Sequence, residues 1–421
     1  MRLGSPRPRS ACLRWASRAS LVGSWIAALA CSADSADAEP RFDQPVAGAG
    51  GEAGAGATAN AGSGAGGQGG SAGASNAGSG GALSGSGGNS GLAGAAGSSA
   101  AGAGGSAGSA PLSGFARVGA ESCPPGPFGS PLPANPSIVH LSSVGGTSAF
   151  NWEGVVWTGS ALLFSEIAAG NASQIDRFTP GGGVERGLFA NTGSNGLALD
   201  AAGNLLLAAH DVGGVSRVEL PGGMLTRGSQ TFNGLRFNSP NDLVLRGDGN
   251  IYFTDPDFQS PSGRIQGDTR VYRIAPAQGG QSPAISVVDD SIDQPNGVTL
   301  SPDGSTLYVS GGSILRSYAL DAAGAPTPIE TFQQALQVPD GMAMDCAGNV
   351  YAVENQARRV RVFSADGDLL GTLGPQGFDN QGLTNVAFGG PDRTTLFISG
   401  VTQGDQGGLY SVELNVPGLP Y

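Results

Sequence analysis

The sequence contains no lysine, two histidines and four cysteines among its 421 residues. The absence of lysine excludes Schiff-base catalysis and phosphate binding by a P-loop. No Gly-x-Ser-x-Gly elbow with Asp and His partners is present, which argues against a serine hydrolase. Basic residues are also scarce, because the sequence has 21 Arg compared with 33 Asp and Glu. The resulting net charge of -12 disfavours binding to nucleic acid or an anionic membrane surface.

The N-terminus predicts an export signal over residues 1–30. Five Arg and no acid are combined with an apolar run at 21–30, which is too short to remain as a spanning helix. Residues 28–31, Ala-Leu-Ala-Cys, resemble the bacterial lipobox, so we predict lipidation of Cys31, with an ordinary secretory signal as the alternative. We therefore expect a membrane-anchored lipoprotein in the periplasm or on the cell surface of a Gram-negative-type bacterium.

A low-complexity segment follows the signal. Residues 46–110 are almost entirely Gly, Ala, Ser and Asn, and such a stretch cannot bury enough apolar surface to offset its ordering entropy. We predict a disordered linker over residues 31–127. Cys123 and Cys346 remain for a disulfide in an oxidising compartment, and the sequence alone leaves open whether they pair.

The rest of the chain, residues 128–421, repeats a strand-rich unit six times. Each unit has an alternating apolar run, a Gly-containing turn and two more β-rich runs, which is typical of a propeller blade. The first apolar residues of the six units are Val155, Leu197, Leu243, Val298, Met342 and Val386. The spacing predicts an all-β, six-bladed propeller, closed by residues 138–141 as the outer strand of the last blade, and we expect a monomer. A pair of β-sandwiches is the alternative.

Polar residues stand two positions before each of these apolar residues. They are Glu153, Asn195, Asn241, Asn296, Asp340 and Thr384. Because equivalent positions of a propeller form a ring about its axis, these oxygen-bearing side chains are expected to converge at one mouth of the channel. Such donors suit Ca²⁺ or another hard divalent cation. The alternative is that Asn-Gly and Asp-Gly pairs are only turn residues.

Eight motifs in this order resemble those of the SMP-30/gluconolactonase family, within the repeat region only. They are FNWEGVVW (150–157), SNGL (194–197), NSPNDLV (238–244), IYFTDP (251–256), QPNGV (294–298), SPDG (301–304), VPDGM (338–342) and FGGPD (388–392). The resemblance implies one divalent cation in the channel, most often Ca²⁺, with Zn²⁺, Mg²⁺ or Mn²⁺ also possible. It implies Glu153, Asn296 and Asp340 as ligands, with Asn241 beside the metal or the substrate.

The same resemblance implies hydrolysis of a lactone or related small ester. Asp340 is our candidate proton acceptor, Glu153 mainly a ligand, and Asn195, Asn241 and His210 are candidate substrate contacts. Ser310 stands where the family often has Asp, and this departure leaves the substrate open. The rival hypothesis is a non-catalytic binding or scaffold propeller with a structural cation. A strictosidine-synthase-like propeller is a weaker alternative, because it would lack the two carboxylates.

Overall fold

The computed structural model describes residues 123–144, 149–168, 170–228, 230–277, 279, 281–327, 330–402 and 406–419. The predicted signal, the lipidation of Cys31 and nearly all of the predicted linker lie outside these described residues. No helix within the described ranges has the length and apolar character needed to cross a membrane.

The described residues form strands and turns. The strands are β1 Val139–Val144, β2 Ala149–Trp157, β3 Leu162–Ala168, β4 Ser173–Thr179, β5 Gly183–Phe189, β6 Ser194–Leu199, β7 Leu205–Ala209, β8 Gly214–Glu219, β9 Met224–Thr226, β10 Leu243–Leu245, β11 Ile251–Asp255, β12 Arg270–Ile274, β13 Ile285–Asp289, β14 Pro295–Leu300, β15 Thr306–Gly311, β16 Ile314–Ala319, β17 Glu330–Gln333, β18 Pro339–Met344, β19 Val350–Glu354, β20 Arg359–Phe363, β21 Leu369–Leu373, β22 Asn380–Gly389, β23 Thr395–Thr402 and β24 Gln406–Glu413.

These strands build six antiparallel four-stranded sheets, each of which is one blade. Blades 1 to 5 are β2–β5, β6–β9, β10–β13, β14–β17 and β18–β21, and blade 6 is β22–β24 with β1 at its outer edge. Each innermost strand packs beside the innermost strand of the next blade, and β22 returns to β2. The predicted six-bladed propeller is therefore confirmed, including its closure by a strand from the N-terminal side, and the sandwich alternative is wrong.

Apolar side chains fill the seams between neighbouring blades. The described core divides into six clusters, and each joins two consecutive blades around the ring. Between blades 6 and 1, for example, the ring of Trp157 stacks on that of Phe397 at 5.5 Å. Both faces of an inner sheet are thus covered, which explains why β14 and β18 are buried along their whole length.

The turn that joins β18 to β19 is linked to the first and the last segments of the described chain. Cys123 and Cys346 form a disulfide, with their Cα atoms 5.4 Å apart. The Cys346 N–H donates to Pro417 O at 2.8 Å, and Leu419 N–H donates to Met344 O at 3.2 Å. The pairing that the sequence left open therefore joins the N-terminal lead-in and the C-terminal tail at one turn of blade 5.

Candidate functional site

Five of the six innermost strands carry a β-bulge at the predicted ring residue. The antiparallel register shifts between Glu153 and Val156, between Pro295 and Val298 and between Pro339 and Met342, with matching shifts in β6 and β22. Five of the six ring residues lie within the innermost strands themselves, and only Asn241 precedes its strand. A bulge redirects side chains, which here brings donors to the axis.

Glycine follows four of the ring residues because neighbouring backbones touch there. A Cβ on Gly297 would lie 2.4 Å from Asp340 O, and one on Gly154 would lie 2.1 Å from Asn195 O. Gly154 also has φ +60°, a conformation that favours glycine. These residue pairs lie within the innermost strands where the strands pack closely, so the alternative that they are only turn residues does not describe their position.

Three carboxyl groups are buried together at the ring without a basic partner. Glu153, Asp340 and Asp242 are each less than a tenth exposed, and the ion pairs between described residues include none of them. Burial, followed by repulsion from Asp340 and Asp242, raises the pKa of Glu153 well above its usual range. Burial raises the pKa of Asp340 to about 8, and that of Asp242 to about 7. The concentration of acid favours neutralisation by a proton or a cation.

Amide side chains complete the ring. Asn195, Asn241 and Asn296 occupy ring positions and are each at most 9% exposed. The side chain of Asn296 hydrogen-bonds to Asp340 and lowers the pKa of its carboxyl, in opposition to burial. The structure thus brings Glu153, Asn296 and Asp340, the ligands that the family resemblance implies, to one end of the channel.

Two polar residues near the ring have structural partners. Thr384 Oγ1 donates to Trp152 O, so its hydroxyl holds the backbone before Glu153. The Asp242 carboxylate accepts from Leu243 N at 2.9 Å and from Val298 N at 3.1 Å. Thr384 and Asp242 therefore link the innermost strands of neighbouring blades.

His210, a predicted substrate contact, is 1% exposed and lies between blades 1 and 2. Its Nε2 is 2.9 Å from Asn171 O, its Nδ1 is buried without a partner, and burial lowers its pKa. The Asp255 carboxylate accepts from the backbone N–H groups of Asn238 and Ser239 and so has a structural role in blade 3. Direct contact between His210 and substrate stays a prediction.

Sequence reasoning missed three side chains that donate hydrogen bonds to ring residues. Ser310 Oγ donates to Asp340 O at 2.8 Å, and Thr254 Oγ1 donates to Asn296 O at 2.6 Å, each across a blade boundary. Asn355 Nδ2 donates to Asp340 Oδ2 at 3.3 Å. Only the departure at Ser310 gave a signal in the sequence, because side-chain contacts between strands follow no local pattern.

A cavity of about 660 Å³ extends along the axis from the ring toward the opposite end of the propeller. Its walls are mostly apolar side chains of the innermost strands, and Asp242 and Asn385 lie where it meets the ring. Within the described residues, no three His, Cys, Asp or Glu side chains are placed to hold a metal ion by themselves. Any cation at this ring would therefore need the amide oxygens as well as the acids.

Comparisons with known proteins agree on one family. The sequence profile described as "SMP-30/Gluconolactonase/LRE-like region" matches residues 152–402. The chain is 31% identical over 287 residues to a gluconolactonase of Zymomonas mobilis subsp. mobilis, which covers 60% of this chain and 77% of the relative. It is 26% identical over 266 residues to the pentonolactonase XacC of Haloferax volcanii, which covers 60% of this chain and 82% of the relative.

Solved structures give the same result. A gluconolactonase of Xanthomonas campestris, XC5397, superimposes with a TM-score of 0.54 at 28% identity, over 68% of this chain and 98% of the other. The calcium-binding protein regucalcin of Agrobacterium tumefaciens superimposes with a TM-score of 0.51 at 19% identity, over 67% of this chain and 98% of the other. At that lower identity the likeness extends to the fold alone.

Proposed function

Because the chain belongs to the SMP-30/gluconolactonase/LRE-like family, we propose that it is a lactonase-type hydrolase that opens a sugar lactone or related small ester. The relatives named gluconolactonase and pentonolactonase support a lactone as the substrate class. The observation that carries the proposal is the buried pair Glu153 and Asp340, which lies among amide side chains at one end of the channel.

We propose that the ring holds a divalent cation through Glu153, Asn241, Asn296 and Asp340. The donor set fits such an ion, because two carboxylates offset its charge and neutral amide oxygens are ligands that Ca²⁺ prefers. Ca²⁺ is our first choice, and Mg²⁺, Mn²⁺ and Zn²⁺ are the alternatives. When bound, the cation would act as a Lewis acid that polarises the carbonyl of the substrate.

Asp340 has the proton-transfer role in this proposal. Opening a lactone adds water to the carbonyl carbon and breaks the bond to the ring oxygen. Asp340 accepts the proton that water loses and returns it to the departing ring oxygen, so the carboxylate is regenerated. The Asp340 side chain suits this role because it is buried and held by amides, with no arginine paired to it among the described residues.

Asn195 and Asn241 are the proposed contacts for the hydroxyl groups of a sugar lactone. Their amides can both donate and accept hydrogen bonds, and both residues are buried at ring positions. The buried position of His210 and the contact of its Nε2 with Asn171 O support a role in holding blade 2 against blade 1.

The test is hydrolysis of glucono-1,5-lactone and of a pentonolactone at pH 6.5. The rate of acid release is measured and compared with the rate of spontaneous hydrolysis. The account predicts acceleration that is lost in excess EDTA and restored by CaCl₂. A protein that is stabilised by Ca²⁺ but accelerates neither lactone would contradict the enzyme and favour the rival scaffold function.

We also propose, from the sequence, that the protein is exported and anchored to a membrane through a lipid on Cys31. Its test is the membrane fraction of bacteria that express the full chain. The wild type should sediment with membranes, and Cys31→Ser should be recovered in the soluble extract. Equal partitioning of the two would contradict the anchor and favour an ordinary secretory signal.

A further inference from the structure

The side chain of Asn355 contacts the Asp340 carboxylate and is not one of the six ring positions. Asn355 follows β19, and its Nδ2 donates to Asp340 Oδ2 at 3.3 Å and to Leu383 O at 2.7 Å. Its backbone N–H donates to Val338 O at 3.0 Å. One residue therefore joins the segment that leads into β18, the side chain of Asp340 and the innermost strand of blade 6.

These contacts restrict the Asp340 side chain. An amide nitrogen has two hydrogens, and both hydrogens of Asn355 Nδ2 have an acceptor, which fixes the rotation of the amide. The main chain of Asp340 is held separately from blade 4, because Ser310 Oγ donates to its carbonyl oxygen at 2.8 Å. With both the backbone and one carboxylate oxygen tied, the other oxygen can point toward the ring in a defined orientation.

We propose that Asn355 is a positioning residue, whose amide fixes the orientation of the Asp340 carboxylate and thereby sets cation affinity and turnover at the ring. The effect on turnover rests on the proposed function, whereas the effect on orientation rests on the hydrogen bonds. Residues that hydrogen-bond to metal ligands typically change metal affinity or activity by about 10–100-fold when they are removed. That range sets the expected effect here.

Blade 5 supplies a matched control. Asn349 Nδ2 donates to Asp345 Oδ2 at 2.8 Å, so it is also an asparagine that holds a buried aspartate. Asn349 and Asp345 lie in the turn that joins β18 to β19, at the opposite end of these strands from Asn355. Removal of the Asn349 amide should lower the stability of the protein and leave Ca²⁺ affinity and turnover at the ring unchanged.

The experiment compares wild type, Asn355→Leu, Asn355→Ala and Asn349→Ala in the full chain. Leucine nearly preserves the shape of asparagine and removes its donors, which protects the test if the alanine variant folds poorly. The measurements are CaCl₂ binding by calorimetry, kcat and KM on glucono-1,5-lactone, and the melting temperature. We expect both Asn355 variants to bind Ca²⁺ about 10–100-fold more weakly and to lose kcat by a similar factor, with KM changed less.

Asn349→Ala should melt at a lower temperature with Ca²⁺ affinity and kcat within twofold of wild type. Asn355→Leu with wild-type affinity and kcat would overturn the proposal, as would an equal loss of affinity in Asn349→Ala. If the wild type hydrolyses no lactone, the proposed function fails, but weaker Ca²⁺ binding in Asn355→Leu would still support positioning. A wild type that neither binds Ca²⁺ nor hydrolyses lactone overturns both.

Discussion

Blade 5 carries one buried aspartate near each end of its innermost strand, and the two differ in their partners. Beyond the end of β18, Asp345 accepts four hydrogen bonds, from the backbone of Ala347 and Asn349, from the Asn349 amide and from the Tyr351 hydroxyl. At the other end, Asp340 lies near Glu153 and Asp242, and the pKa of its carboxyl rises to about 8 through burial. Burial raises the pKa of Asp345 as well, but only Asp340 also lies beside two further carboxyl groups, which is the pattern expected of a functional end.

The largest expected effect comes from replacing each of the two buried aspartates of blade 5, Asp340 and Asp345, with asparagine. Asp340→Asn should lower kcat/KM by about 10²–10⁴-fold, because it removes the proposed proton acceptor and one of the two negative charges that would offset the cation. Asp345→Asn should keep kcat/KM within threefold and lower the free energy of unfolding by about 1–3 kcal/mol, because it leaves buried donors unpaired. Lactone kinetics and urea unfolding of both variants check this. Similar kinetic losses in both would remove the distinction between the ends.

The second prediction concerns the disulfide at the end of blade 5 that carries Asp345. The double variant Cys123→Ser/Cys346→Ser should lower the free energy of unfolding by about 2–5 kcal/mol, because it frees the N-terminal lead-in from blade 5. The ring is at the opposite end, so kcat/KM of the folded variant should stay within twofold of wild type. Urea unfolding and lactone kinetics are the measurements. A folded variant with much reduced turnover would show that the two ends are coupled.

The third prediction tests the close approach of strands at the ring. Gly297→Ala should cost about 1–3 kcal/mol of stability and reduce turnover, because the added Cβ would meet Asp340 O. Gly247→Ala is the control at the other end, since nothing lies within 4 Å of the Cβ that it adds. Thermal melting of both variants checks the difference. If the two melt alike, the strands at the ring are less tightly packed than the structure indicates.

The smallest effect concerns strain beside the ring. Val338 has φ +51° although it is β-branched, and it stands two residues before Asp340. Val338→Gly should raise the free energy of unfolding by about 1 kcal/mol, because glycine adopts this conformation without strain. Val338→Ala keeps the Cβ and should gain much less. An equal gain in the two variants, measured by thermal melting, would argue against backbone strain.

The sequence predicted the blades and the ring because both depend on a repeated spacing. The interval between equivalent strands placed Glu153, Asn296 and Asp340 at one end of the channel without any knowledge of contacts. Side-chain roles were harder. Thr384 occupies a ring position, yet its hydroxyl holds Trp152 O of the next blade. Asn355 follows no repeat: the pairing of β18 with β19 brings it to Asp340, and the packing of blade 6 against blade 5 brings it to Leu383.

The central claim is that the buried acids of the ring form a cation site. The direct test is the change in melting temperature when Ca²⁺ is added to metal-free protein at two pH values. Because the pKa of Asp340 rises from 3.8 to about 8, its folded form retains a proton that the unfolded chain releases. Stability should therefore fall as the pH rises between about 4 and 8. Ca²⁺ should raise the melting temperature more at pH 8 than at pH 5, and Glu153→Gln/Asp340→Asn should abolish the increase. An equal increase in that variant, or none in the wild type, would contradict the claim.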